Sequence, residues 1–78
     1  MPTVFREGPY RLFFYSSDRD EPPHVHVRRG EDTAKFWLSP VRLAQNSGFR
    51  GAGVRQIYQL VERHEVALLE AWNEYFHR

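Results

Sequence analysis

Pro22-Pro23-His24-Val25-His26-Val27-Arg28 sets two imidazoles and a guanidinium at alternate positions of a segment that reads as a β-strand. Alternate residues of a strand leave the same side of a sheet, so His24, His26 and Arg28 are expected on one face. Two histidines beside cations are the parts of a metal-independent ribonuclease. One imidazole would be base and the other acid, while Arg28 and Lys35 hold the phosphate as charge develops. RNA brings its own 2′-hydroxyl, so the chain need supply no nucleophile. His24 and His26 are therefore the candidate catalytic pair, and no cofactor is expected. The same pair is the weaker candidate for a metal site, since zinc wants at least a third protein ligand. His64 falls on the core-facing stripe of the C-terminal helix and would join only at a sheet edge or from a second chain. Asp18, Asp20 and Glu21 lie nearer.

The elements that position these groups follow from pattern. Thr3–Arg6 is a short β-prone run closed by Glu7-Gly8-Pro9, and the aromatic-rich Tyr10–Ser16 reads as a strand. Ser17–Pro23 is a polar loop. His24–Arg29 and Thr33–Ser39 form a hairpin about Gly30, and Val41–Ala44 reads as a short edge strand. The sheet thus spans about residues 3–44. Three glycines make residues 46–53 a connector; Gly48, Gly51 and Gly53 precede a helix, but no lysine with serine or threonine follows, which excludes a P-loop. From Val54 to Phe76 apolar residues recur every three or four positions with no glycine or proline, predicting one helix of about 34 Å. Six-residue strands span only ~20 Å. One helix end is therefore expected to overhang the sheet, leaving Trp72, Tyr75 and Phe76 to be covered by the chain's loops or by a second copy.

A tight turn at Gly30-Glu31 sets His26 opposite Lys35, His24 opposite Trp37 and Arg28 opposite Thr33. Val25, Val27, Ala34, Phe36 and Leu38 then share the side that seats the helix. The other side carries His24, His26, Arg28, Lys35 and Trp37, extended on the preceding strand by Arg11, Phe13 and Tyr15. Cations and aromatic rings on one open face suit a protein interface, where tryptophan, tyrosine and arginine anchor. They also suit a phosphate backbone with stacked bases. Arg28, Lys35, Trp37, Arg11 and Tyr15 are the candidate contacts for either ligand.

Seventy-eight residues suffice for a single domain over residues 1–78 with one modest core. Without cysteine there is neither disulfide nor thiolate metal site. Eleven basic against ten acidic residues leave a net charge of +1, so attraction to a polyanion must come from a local patch. No apolar run approaches the ~20 residues of a membrane span, and the start Met-Pro-Thr-Val-Phe-Arg lacks the pattern of a signal peptide. A cytoplasmic protein with no membrane partner is expected.

Several of these features together resemble the family called domain of unknown function 4160, small bacterial, archaeal and phage proteins. They are the Met1-Pro2-Thr3 start, the aromatic Leu12–Tyr15, Pro22-Pro23-His24-Val25-His26, Ala34, His64 with Leu68, and Leu69, Ala71 and Trp72. The chain departs from that pattern in the connector Asn46–Gly53 and in the short end after Trp72. The resemblance implies an α+β fold and, through relatives in two-gene modules, a toxin–antitoxin-like pair with a protein partner from an adjacent gene.

The expectation is an antiparallel meander of three or four strands with one long C-terminal helix packed on one face. Its function is expected to be binding a partner protein, with action on RNA through the His/Arg/Lys face. The alternatives are a non-catalytic interaction module and a histidine metal-binding protein. A homo-oligomer through Trp72, Tyr75 and Phe76 is also expected.

Overall fold

The computed structural model describes residues 3–76; Met1 and Pro2 of the resembling start, with His77 and Arg78, lie outside the described residues. Five strands run in chain order across one antiparallel sheet: β1 (Thr3–Glu7), β2 (Tyr10–Phe13), β3 (His24–Arg29), β4 (Asp32–Leu38) and β5 (Val41–Ser47). Two helices follow, α1 (Gly51–Arg63) and α2 (Glu65–Phe76). This is the expected α+β meander with one strand more. β1 pairs along β2, and β5 runs beyond Ala44 to Ser47, past a bulge opposite Lys35 and Phe36. No described helix is long and apolar enough to cross a membrane.

Two short turns fix the registers. Gly8-Pro9 joins β1 to β2 and Gly30-Glu31 joins β3 to β4. In each the glycine comes first, with φ of 56° and 60°, and no described non-glycine residue has positive φ. Positive φ at the first central position alone is the type II′ pattern, whose twist matches that of the strands it joins. The β3–β4 pairs fall as the alternation predicts: His24 with Trp37, Val25 with Phe36, His26 with Lys35, Val27 with Ala34 and Arg28 with Thr33.

The apolar side of that register builds the core. Leu12, Val25, Val27, Phe36 and Leu38 lose all exposure, as do Ile57 and Val61 of α1 and Leu68 of α2. Each such side chain contributes roughly 1.5–3 kcal/mol by leaving water. The connector is shorter than its glycines suggest, because Asn46 closes it with two bonds. Its amide donates to the Phe49 carbonyl at 2.9 Å, and its side-chain oxygen accepts the Phe49 N–H at 3.1 Å. Gly48 is required there: its φ is 105°, and a Cβ would run into the Asp32 carboxylate.

The single long helix is the expectation that fails. Helix geometry breaks at His64, whose backbone sits at φ −107° and ψ 15° and whose N–H turns to the Val61 carbonyl at 3.2 Å. A straight helix of that length would leave its apolar end without a sheet beneath it. The break instead keeps α2 on the fold, and Trp72 and Phe76 are buried against Phe14. The overhang expected to form a homo-oligomer is thus covered within the chain, with Tyr75 half-buried beside it. Glu7, at the end of β1, clamps the break by accepting from His64 Nε2 at 2.9 Å and from Arg63 at 2.8 Å. His64, expected on the core-facing stripe of one continuous helix, lies half-buried at the break instead.

The clamp predicts a pH signature. The hydrogen bond from His64, only partly opposed by desolvation and aided by Arg63, holds the Glu7 carboxyl below its ordinary 4.5. A carboxylate whose folded pKa is depressed stabilises the fold above its unfolded value and ceases to do so as pH falls through the folded one. In urea unfolding, wild type should exceed Glu7→Gln in stability at about pH 5.5, and the difference should shrink as pH drops below about 4.5. A difference unchanged down to about pH 3 would show that the charge of Glu7 contributes nothing.

Candidate functional site

The side of the sheet away from the core carries three rows across the strands. Arg6, Arg11, Arg28, Thr33 and Ser47 lie in register in one row, and Phe13, His26, Lys35 and Gln45 in the next. His24, Trp37 and Arg42 make the third, at the strand end. Phe13 is the floor. Its ring stacks on His26 at 5.5 Å, takes the edge of Tyr15 at 5.3 Å and lies 4.7 Å beneath the Arg11 guanidinium. A concavity of about 600 Å³ opens over this floor, lined by Tyr15, His26, Thr33, Lys35, Gln45 and Asn46 among others.

Asp18 organises the corner beside it. Ser16–Asp20 forms a 3-10 turn whose third residue reaches back to its own entrance, so Asp18 Oδ2 accepts the Tyr15 N–H at 2.8 Å. This is half of a capping box. The same oxygen lies 3.0 Å from His26 Nε2 and 3.2 Å from His24 Nε2. An ionised carboxylate only accepts, so His26 Nε2 carries the proton toward it. Burial disfavours the Asp18 charge, but the Tyr15 N–H and the nearby histidines outweigh it and hold the carboxyl below its ordinary value. His26 is shifted the other way from what one neighbouring anion would suggest. Burial pushes its pKa down, Asp18 only partly restores it, and His24 and Lys35 repel the added charge. The ring is therefore neutral at neutral pH.

His24 differs from its neighbour. Its side chain has no exposed surface, and it sits among the rings of His26 at 5.0 Å, Trp72 at 5.1 Å and Trp37 at 5.6 Å. Nδ1 lies 2.9 Å from the Pro22 carbonyl, which can only accept, so Nδ1 is the protonated nitrogen. The expected division of acid and base between His24 and His26 does not survive this placement. An enclosed imidazole cannot touch a substrate, so of the two only His26 is placed to meet one. Trp72 is the reason: the break at His64 carries α2 to the end of β3, where a helix seated wholly on the valine side would not reach.

Arg11, Arg28, Lys35 and Trp37 lie on this side of the sheet, and Tyr15 follows the end of β2. Arg28 is exposed and bonds the Gly30 carbonyl at 2.8 Å, and Tyr15 is 42% exposed. Lys35 bonds Glu21 and stands 4.7 Å over the Trp37 ring; that bond, against some desolvation, holds Glu21 below its ordinary value. Two residues gain importance. Arg6 was passed over, although a two-residue turn at Gly8-Pro9 already sets it opposite Arg11. Asp18 is one of three nearby acids, and its place as third residue of the 3-10 turn that Tyr15 opens is what separates it from Asp20 and Glu21.

A five-stranded meander under a broken helix, with a histidine–aspartate corner beside an open concavity, defines a small α+β protein with a built polar face. The chain belongs to the family described as Domain of unknown function (DUF4160), whose model matches residues 10–73. That span takes in Asp18, His24, His26, Lys35, Trp37 and Trp72, and leaves out Arg6 and the Met1-Pro2-Thr3 start. Among curated proteins and among solved structures, nothing matches.

Asp18 should matter to the fold itself. Asp18→Ala strands the Tyr15 N–H and the His26 N–H in a largely enclosed corner, and urea unfolding should show a loss of about 1–3 kcal/mol. The exposed neighbour Asp20→Ala should stay within about 0.5 kcal/mol of wild type. Equal effects from the two would mean that the corner is not held by Asp18.

Proposed function

We propose that the polar face binds single-stranded RNA, and that the chain does so as one component of a toxin–antitoxin-like pair. The observation that carries this is the arginine row. Arg6, Arg11 and Arg28 stand directly opposite one another across three adjacent strands. Three guanidinium positions in one row concentrate positive charge on this part of the face. A phosphodiester chain supplies anions at regular intervals to match it. The overall charge of +1 leaves whole-protein attraction negligible, so this local row would be the electrostatic handle.

The neighbouring rows suit the rest of a nucleotide. Tyr15 and Trp37 offer rings for stacking, and Gln45, Asn46 and Lys35 around the concavity offer donors and acceptors for base edges and the 2′-hydroxyl. Cleavage would rest on His26, neutral and held by Asp18, with Lys35 as the nearby cation.

A protein partner from an adjacent gene is the competing occupant of the same face. It would use the small notch of about 210 Å³ between Pro22, Pro23, Trp37 and Pro40. Fluorescence anisotropy with a labelled single-stranded RNA separates the two. With RNA as ligand, Arg11→Ala/Arg28→Ala should weaken binding roughly tenfold or more and lower the salt slope by about 1.4, at ~0.7 per phosphate contact. Absence of salt-dependent binding by wild type would sink the RNA reading. If binding is instead found to the product of the adjacent gene, and Trp37→Ala removes more of it than the arginine pair does, the face is a protein interface.

A further inference from the structure

We infer that Asp18, His24 and His26 form a binding site for a divalent transition-metal ion of the zinc class, with two imidazole nitrogens and one carboxylate oxygen as protein ligands. The inference does not rest on RNA binding, although a bound ion would replace the acid–base role of His26 with that of a ligand, and it begins at one atom. His24 Nε2 is completely buried and has no hydrogen-bond partner among the described residues. The Nδ1–H is held by the Pro22 carbonyl, so Nε2 is the nitrogen left to face a ligand. It lies 3.2 Å from the Asp18 carboxylate oxygen and belongs to a side chain with no exposed surface. A cation between the two would give the buried nitrogen the partner it lacks.

The geometry selects what kind of cation. The ligand atoms of Asp18, His24 and His26 all lie within 4.8 Å of one another. Zinc bonds of ~2.0–2.1 Å to nitrogen and oxygen in a tetrahedron place ligand atoms about 3.3 Å apart. The separations of Asp18 Oδ2 from the two imidazole nitrogens, 3.0 and 3.2 Å, are close to that edge. Donors of a metal site aim at a common centre and not at each other, which accounts for His24 Nε2 being near Asp18 Oδ2 without bonding to it.

The surroundings are those of a ligand set. His24 gives its far N–H to a backbone carbonyl, the support that fixes tautomer and ring orientation in metal-bound histidines. Asp18 is held by the Tyr15 N–H. Trp37, Trp72 and the Phe13 floor supply the apolar shell. His26 would bind in its other tautomer, with the proton on Nδ1. Three protein ligands leave at least one position for water. Two imidazoles with one carboxylate favour zinc, nickel, cobalt or ferrous iron over magnesium or calcium, which prefer all-oxygen sets.

The test is calorimetric titration of chelator-treated protein with zinc chloride, with thermal unfolding in parallel and cobalt(II) absorption as the report on geometry. One ion per chain, a raised melting temperature and the intense visible bands of low-coordinate cobalt are expected. Asp18→Asn and His26→Gln should each weaken zinc at least about tenfold. His64→Gln, which disturbs the other histidine–carboxylate pair, should leave binding unchanged. His24→Ala opens a hole among three rings and is less informative, so the two partly exposed ligands carry the test. Magnetic resonance spectra of both variants must show the native fold. Absence of one-to-one binding by wild type, or equal binding by wild type, Asp18→Asn and His26→Gln, overturns the site. Loss of zinc in His64→Gln alone would place the ion at Glu7 and overturn it as well.

Discussion

The register of β3 on β4 is the constraint from which the rest of the molecule follows. Side chains alternate along a strand, so a slip of one residue would exchange the two faces wholesale. Lys35 would then oppose Val27, and a desolvated ammonium would enter the space that Ile57, Val61 and Phe36 fill. The type II′ turn at Gly30 and the burial of five sheet side chains agree on one alignment. That agreement decides that His26 faces Lys35, that Phe13 stacks on His26, and that Arg11 stands beside Arg28. The polar face inherits its order from the apolar one.

Sheet and helix differ in length, and the way the chain reconciles them shapes the site. α1 stays over the valines, and the break at His64 turns α2 so that Trp72 meets Phe14 and His24. His24 occupies the first position of β3, where the polar face ends and the core can reach around it. The same move that covers the aromatic end of α2 removes His24 from solvent. A residue that alternation assigns to the surface thereby becomes an interior one, with its second nitrogen beside a carboxylate.

What could be read in the chain divides along the range of the forces involved. Alternation and a glycine turn are local, so the hairpin and its two faces are legible in the residues from Val25 to Leu38. The Arg6–Arg11 pair was legible by the same rule. The break at His64 was not: no glycine or proline marks it, and the apolar period runs through it. The contacts made after it, Trp72 and Phe76 on Phe14, join residues far apart in sequence. Asp18, Asp20 and Glu21 are alike in composition, and only the 3-10 turn that follows Tyr15 decides which carboxylate turns inward. The burial of Trp72 and Phe76 depended in turn on the break.

Charge links the arginine row to the corner. Along one strand, His26 lies two positions from Arg28 and His24 two beyond that, so an anion on the row is within about 7 Å of the middle row. Asp18 sets a negative charge at the edge of the face, beside the Lys35–Glu21 pair, and opposes a phosphate there. A divalent ion held by Asp18, His24 and His26 would reverse that local sign, because the ion's own charge dominates its site. The face would then attract phosphate along its whole length, and a water on the ion would lie next to the anion. Lys35 already pairs with Glu21, so Asp18 is the carboxylate of this face that lies beside two imidazoles, where a cation would be bound.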